Sequence, residues 1–260
     1  MTAAVFGFPD SVHEARRLAD ALGLPLRDVS VHRFPDGESL VQVDPPPGIA
    51  LLYRSLDNPN AKLVELLLAA SALRDGGATR VILVAPYLAY MRQDMAFAQG
   101  QAVSQRVIGD LLARHFDAVL TVDPHLHRIR SLGEVMPHIE AVAITAAPAL
   151  AACLGGDATP PVLVGPDSES RQWVEAIAGP LGLDVLVGSK LRQGDRDVAI
   201  AIEDAGIVSG RPAILVDDVI SSGETLVAAA RELKVAGATR VEALATHCLA
   251  GEAGLARMQE

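Results

Sequence analysis

The chain has 260 residues, half of them hydrophobic and only 3% aromatic, with a formal net charge of -10. That length holds one large or two medium domains with sizeable cores, and the acidic balance argues against a general nucleic-acid partner, which calls for a basic surface. Cys153 and Cys248 lie far apart and form no CxxC, so buried or free thiols in a reducing compartment are expected.

The N-terminal stretch MTAAVFGFPDSVHEARR has no basic region ahead of an apolar one and does not read as a signal peptide. The uncharged stretch AVAITAAPALAACLGG is broken by Pro148 and is too short to span a bilayer. These features predict a cytoplasmic protein with no membrane partner.

Along the chain, apolar runs of strand length alternate with segments of helical period. The expected strands are AAVFGF, ALLYRS, RVILVAP, AVLTVD, PVLVGPD, LDVLVGS, AILVDD and RVEALATH. Between them, SVHEARRLADAL, NAKLVELLLAASALRDG, SQRVIGDLLARHF, ESRQWVEAIAGPLG and ETLVAAARELKVAG repeat apolar residues at three and four positions, as helices do. Strands apolar throughout are buried on both faces, which with helical crossovers predicts an α/β fold of mainly parallel sheet flanked by helices. GATRV stands at residues 77–81 and again at 237–241, each time closing a helix on Gly and opening a strand. The echo suggests two similar halves, divided as 1–142 and 143–260, with the last residues packing back on the first half. The tail AGEAGLARMQE reads as a terminal helix.

Six stretches carry candidate chemistry. VHRFPDGESL (31–40) contains a tight turn at PDGE. In PYLAYMRQDMAFAQGQAVS (86–104), Arg92, Gln93 and Asp94 stand on a loop between a strand and a helix opening at Ser104, where Arg and Gln could meet phosphate and a base edge. TVDPHLHRI (121–129) carries His125 and His127; in an extended segment they would point to opposite sides, which argues against a shared metal. VLVGPDSESR (162–171) puts Asp167 at a strand end. VGSKLRQGDRDVAI (187–200) reads as a solvated hairpin bearing Lys190 and Arg192. ILVDDVISSGET (214–225) is a strand expected to end at Asp217 and Asp218, then a turn of Ser221, Ser222 and Gly223, with a helix from Glu224 and Thr225 in its first turn. A helix N-terminus offers unpaired N–H groups and a positive dipole end to a phosphate, and two carboxylates suit vicinal sugar hydroxyls.

This last stretch resembles the phosphoribosyl-diphosphate loop of type I phosphoribosyltransferases and of ribose-phosphate diphosphokinases. RFPDGE, PY-x-x-Y-x-RQD with its following F-x-x-G-x-x-x-S, D-x-H and K-x-R together resemble the diphosphokinases, and the F…G…S spacing resembles archaeal members. The resemblance runs from about residue 3 to about residue 248. It implies two type I phosphoribosyltransferase-like domains and transfer of diphosphate from Mg-ATP to ribose 5-phosphate. By resemblance, Phe34, Asp36, Glu38, Arg92, Gln93 and Asp94 would bind ATP, the first three in a neighbouring subunit, which implies a homodimer or larger assembly. His125 and Asp167 would hold Mg2+. Lys190 and Arg192 would stabilise the transferring group. Asp217, Asp218, Ser221, Ser222, Gly223 and Thr225 would bind ribose 5-phosphate. The chain departs from the family at Ser168–Ser170 and at Glu224, which must point outwards or repel the phosphate. A phosphoribosyltransferase, a non-enzymatic regulatory homologue and a paralogue using another sugar phosphate are the alternative readings.

Overall fold

The computed structural model describes residues 2–155, 159–192 and 198–259, with the backbone alone at 190–192 and 198–199. The chain forms two compact units, Met1–Ile144 and Thr145–Glu260.

The first unit runs β1 (Ala3–Gly7), α1 (Val12–Leu22), β2 (Leu26–Arg33), β3 (Ser39–Val43), β4 (Ile49–Tyr53), α2 (Pro59–Asp75), β5 (Arg80–Val84), α3 (Ser104–His115), β6 (Ala118–Val122) and β7 (Glu140–Ile144). Its seven strands form one sheet in the order β3-β2-β1-β4-β5-β6-β7, parallel except for the β2–β3 hairpin. Alternate residues of the central strands feed opposite faces. Phe6, Leu52 and Leu83 join Leu66 of α2 and Leu112 of α3 in the main core, while Val5, Tyr53 and Val84 meet Ala15 and Ala19 of α1 on the other face.

The second unit comprises α4 (Ala147–Ala152), β8 (Val162–Gly165), α5 (Arg171–Ala178), β9 (Val185–Arg192), β10 (Val198–Ile202), β11 (Pro212–Ile220), α6 (Glu224–Val235), β12 (Arg240–Cys248) and α7 (Glu252–Gln259). Its sheet order is β10-β9-β8-β11-β12, again parallel except for the outer β9–β10 pair. Val162, Val164 and Leu215 pack with Leu226 and Leu233 of α6, while Leu163, Ile214 and Val216 pack with Val174 and Ile177 of α5. Hence the strand–helix–strand order of the first five strands is the same in both units, and the first unit adds β6 and β7.

The GATRV echo falls on equivalent places. Gly77 after α2 and Gly237 after α6 both take positive φ, +102° and +95°. Ala78 N donates to Leu73 O and Ala238 N to Leu233 O, so both helices end in the same motif, which glycine enters at no steric cost. One expectation needs correction. β11 does not end at the acid pair; its ladder with β12 continues through Val219 and Ile220. The terminal helix α7 lies against α6 within its own unit. Neither cysteine is in a disulfide, and both are exposed. Among the described residues no helix is long and apolar enough to cross a membrane.

Gly109 on α3 faces the Val135 carbonyl, and a Cβ added there would run into that oxygen. Gly109→Ala is therefore expected to destabilise the first unit by about 1–3 kcal/mol, the usual cost of overpacking, read as a lower Tm in a calorimetric scan.

Candidate active site

In open α/β sheets, ligands gather beyond the carboxyl ends of the parallel strands. In the second unit that end carries Asp167 after β8 and Asp217–Asp218 near the end of β11. Asp218 is 2% exposed, and its backbone N–H donates to Asp217 Oδ1 at 3.0 Å. Burial, and then the neighbouring charges of Asp218 and Asp167, push the Asp217 carboxyl up to about 7. Three acids therefore share one electrostatic neighbourhood at a cost. Hard oxygens crowded this way suit a divalent cation or the hydroxyls of a sugar, either of which would relieve the repulsion.

Asp167 also has a local job. Its Oδ1 accepts from the backbone N–H groups of Glu169 and Ser170 at 3.0 and 3.2 Å, and Ser170 Oγ donates to the Asp167 carbonyl at 2.6 Å. The Ser168–Ser170 departure thus builds a compact cap that fixes the backbone of Asp167.

The loop after β11 puts exposed Ser221 and Ser222 ahead of Gly223, with half-buried Thr225 in the first turn of α6. Gly223 has φ +81°, and a Cβ added there would lie 2.7 Å from Met258 Sδ on α7. Arg257 of α7 donates from Nη2 to the Ser222 carbonyl at 3.4 Å, and its Nη1 lies 3.7 Å from Glu224 Oε1. Glu224 itself is exposed. The terminal helix therefore seats the loop, and Glu224 turns towards a cation on α7.

In the first unit, the Arg33–Ser39 turn closes with Phe34 N donating to Glu38 O at 2.8 Å and Gly37 N to Phe34 O at 2.9 Å. Asp36 Oδ1 takes the Glu38 N–H at 3.1 Å. Phe34 is 40% exposed and meets His32 edge-on at 4.6 Å. The turn expected at PDGE is the tip of the β2–β3 hairpin, with its aromatic ring held outside the core.

The base of that hairpin rests on a buried carboxylate. Glu65 of α2 has no exposed side-chain surface and accepts from Arg33 Nε and Ser39 Oγ, both at 3.0 Å on Oε1. Its Oε2 takes Arg54 Nη2 at 2.6 Å. Arg54 also binds Asp10 and stacks over the Phe8 ring at 4.0 Å from its centroid. Burial would raise the Glu65 carboxyl, but the hydrogen bonds from Arg33, Arg54 and Ser39 outweigh it and hold it below its usual range. Breaking such a buried pair costs about 3–5 kcal/mol, because the surviving charge is left buried.

Arg92 and Gln93 stand on the loop after β5, Arg92 exposed and Gln93 half-buried. Gln93 is tied to the start of α3: its Oε1 accepts from Ser104 Oγ at 3.0 Å and its carbonyl from Gln105 N at 3.2 Å. Asp94 points inwards, with a side chain 4% exposed and Oδ1 2.6 Å from Arg128 Nη1. After β6 the histidines do not alternate as expected. Asp123 takes φ +37° ahead of Pro124, the chain leaves the extended form, and the His125 and His127 rings come together at 4.2 Å between centroids. Alternation therefore does not keep the two rings apart. Lys190 and Arg192 lie on β9, opposite Ile200 and Val198 of β10; their side chains fall outside the described residues.

Within the first unit the structure thus brings Phe34, Asp36 and Glu38 into one turn and Arg92–Asp94 into one loop. Within the second it groups Asp167, Asp217 and Asp218 beside the Ser221–Thr225 loop. Sequence reading gave no role to Arg54, Glu65, Arg128 or Arg257, whose partners lie far away along the chain.

The chain matches two family models. Residues 4–115 match the N-terminal domain of ribose phosphate pyrophosphokinase, and residues 133–257 match the phosphoribosyl transferase domain. It is 34% identical to a ribose-phosphate pyrophosphokinase of Methanopyrus kandleri, over 94% of this chain and 84% of that protein. It is 36% identical to one of Halobacterium salinarum, over 82% and 74%, and 34% identical to one of Vibrio parahaemolyticus, over 90% and 76%. In fold it resembles the crystal structure of phosphoribosylpyrophosphate synthetase from Mycobacterium smegmatis, with a TM-score of 0.82 at 24% identity over 100% of this chain and 86% of that one.

Proposed function

The chain belongs to the ribose-phosphate pyrophosphokinase family, and from that premise we propose how its residues divide the work of a ribose-phosphate diphosphokinase. The observation that carries the reading is the acid pair of β11, with Asp218 buried and Asp217 half-buried, followed by hydroxyl groups at the N-terminus of α6. One end suits a diol and the other a phosphate.

In the proposed reaction the C1 hydroxyl oxygen of ribose 5-phosphate bonds to the β-phosphorus of ATP. The bond from that phosphorus to the α,β-bridging oxygen breaks, AMP leaves with the oxygen, and the hydroxyl proton is released. The products are 5-phosphoribosyl 1-diphosphate and AMP. No covalent enzyme intermediate is needed, so catalysis is positioning plus charge stabilisation.

Asp217 and Asp218 accept from the ribose hydroxyls. Ser221, Ser222, Gly223 and Thr225 hold the 5-phosphate by hydroxyl and backbone donors. Lys190 and Arg192 stabilise the negative charge of the transferring diphosphate. Phe34, Asp36, Glu38, Arg92, Gln93 and Asp94 serve ATP, which makes residues 1–142 the ATP side and 143–260 the ribose-phosphate side. His125 and Asp167 are the residues assigned to Mg2+, which when bound would offset charge on the ATP phosphates. The exposed hairpin tip is assigned to a neighbouring copy, so the working unit is a homodimer or larger. The compartment proposed is the cytoplasm.

The direct test mixes purified protein with Mg-ATP and ribose 5-phosphate and follows AMP by chromatography, with a no-sugar control. AMP that depends on the sugar is the expected result. No AMP from folded protein would overturn the reading for ribose 5-phosphate, and a panel of other sugar phosphates would then show whether the loop with Glu224 accepts a different one.

A further inference from the structure

We propose that Glu65 is the positioning residue for the hairpin that carries Phe34, Asp36 and Glu38: one buried carboxylate oxygen fixes both strands of the hairpin at its base and so sets where the tip points. The inference rests on the reading of that tip as the part of the chain that meets ATP.

The geometry is specific. Arg33 is the last residue of β2 and Ser39 the first of β3, and the two face each other across the antiparallel ladder. Both donate to the same oxygen, Glu65 Oε1, at 3.0 Å. Beyond them only the short turn remains, closed on itself by the Phe34–Glu38 and Gly37–Phe34 hydrogen bonds. A turn so small has little stiffness of its own in water, so its direction is inherited from the residues at its base. The carboxylate cannot swing to follow the hairpin, because Arg54 grips Oε2 at 2.6 Å and is itself held by Asp10 and the Phe8 ring. Hydrogen bonds to an ionised acceptor are about twice as strong as neutral ones, so this tie is the strong link in the chain of contacts. The arrangement runs from the packed centre of the first unit to an exposed aromatic ring, through one side chain.

The test uses the full chain and steady-state kinetics with ATP and ribose 5-phosphate, alongside Tm. The paired variant Arg33→Ala/Ser39→Ala cuts both ties to the hairpin and leaves the Arg54–Glu65 pair in place. It is expected to raise the KM for ATP about tenfold, the size of one coupling between contacting residues, with kcat and the KM for ribose 5-phosphate within about twofold. Arg33→Lys should recover part of the loss. Glu65→Gln should raise the KM for ATP similarly, and adding the paired change to it should cost little more, because both act through one carboxylate. Phe34→Ala separates this proposal from the reading beneath it. If Phe34→Ala leaves the KM for ATP unchanged, the tip does not serve ATP and both fall. If Phe34→Ala raises it and Arg33→Ala/Ser39→Ala does not, the positioning role alone is overturned. Equal losses for both substrates with a lower Tm would mark Glu65 as merely structural and would also overturn it. Should Glu65→Gln fail to fold, the paired variant decides.

Discussion

Replacing Lys190 by alanine is expected to lower kcat by about a hundred- to a thousandfold while the KM for ATP stays within about twofold, as for loss of one group that acts mainly in the transition state. During diphosphoryl transfer, negative charge shifts between the attacking and leaving oxygens. A cation that meets that charge only as the bonds change contributes little to the ground-state complex. Lys190 stands on β9, where its backbone lies opposite Ile200 of β10. A change at this position leaves the central parallel strands β8 and β11 untouched, so Tm should hold. Single-turnover AMP formation with saturating substrates reads the chemical step directly. Unchanged turnover would remove Lys190 from the catalytic group and leave Arg192 to be tested alone.

Asp218→Asn should act on the other substrate. It is expected to raise the KM for ribose 5-phosphate by roughly ten- to a hundredfold and leave that for ATP unchanged, since a hydrogen bond to a charged acceptor contributes about 1.5–3 kcal/mol. Asparagine keeps the volume of a side chain that is 2% exposed. The backbone N–H of residue 218, which donates to Asp217 Oδ1, is unaffected by the change. The substitution therefore removes a charge without opening a cavity. Titrating binding of each substrate calorimetrically separates the two affinities. An equal loss for ATP and the sugar phosphate would count against the diol assignment.

How legible this was depended on burial. The interior strands β1, β4, β5, β6, β8, β9 and β11 are apolar runs and stand out, and the outer strand β12 is marked by the GATRV echo that opens it. The strands passed over lie at or near the sheet edges. LRDVSVHR of β2 and SLVQV of β3 are half-exposed and polar on one side, and β7 is an outer strand with exposed ends. A solvent face dilutes the apolar signal. The acid pair, the hydroxyl loop and the RQD run were readable because they are contiguous. Glu65 was not. It sits in a helix whose apolar residues run all round it, where a lone acid looks like a solvated residue, yet its partners Arg33, Ser39 and Arg54 come from three other segments. Asp94 could be singled out by its motif, but its inward turn towards Arg128 depends on two loops meeting, which spacing does not encode. The histidine pair was misjudged because alternation holds only in extended backbone, and Asp123 leaves it.

The packing of α7 against the β11–α6 loop also bears on motion. Gly254 lies under the Ser222 carbonyl, Met258 fills the space beside Gly223, and Arg257 reaches both Ser222 and Glu224. The loop and the helix therefore form one cooperative unit of local unfolding. When α7 lifts, the amides of Gly223–Thr225 lose their cover although no loop residue has changed. Protection of those amides from exchange is therefore expected to depend on the helix above, and a ligand that quiets the turn should also slow exchange in α7.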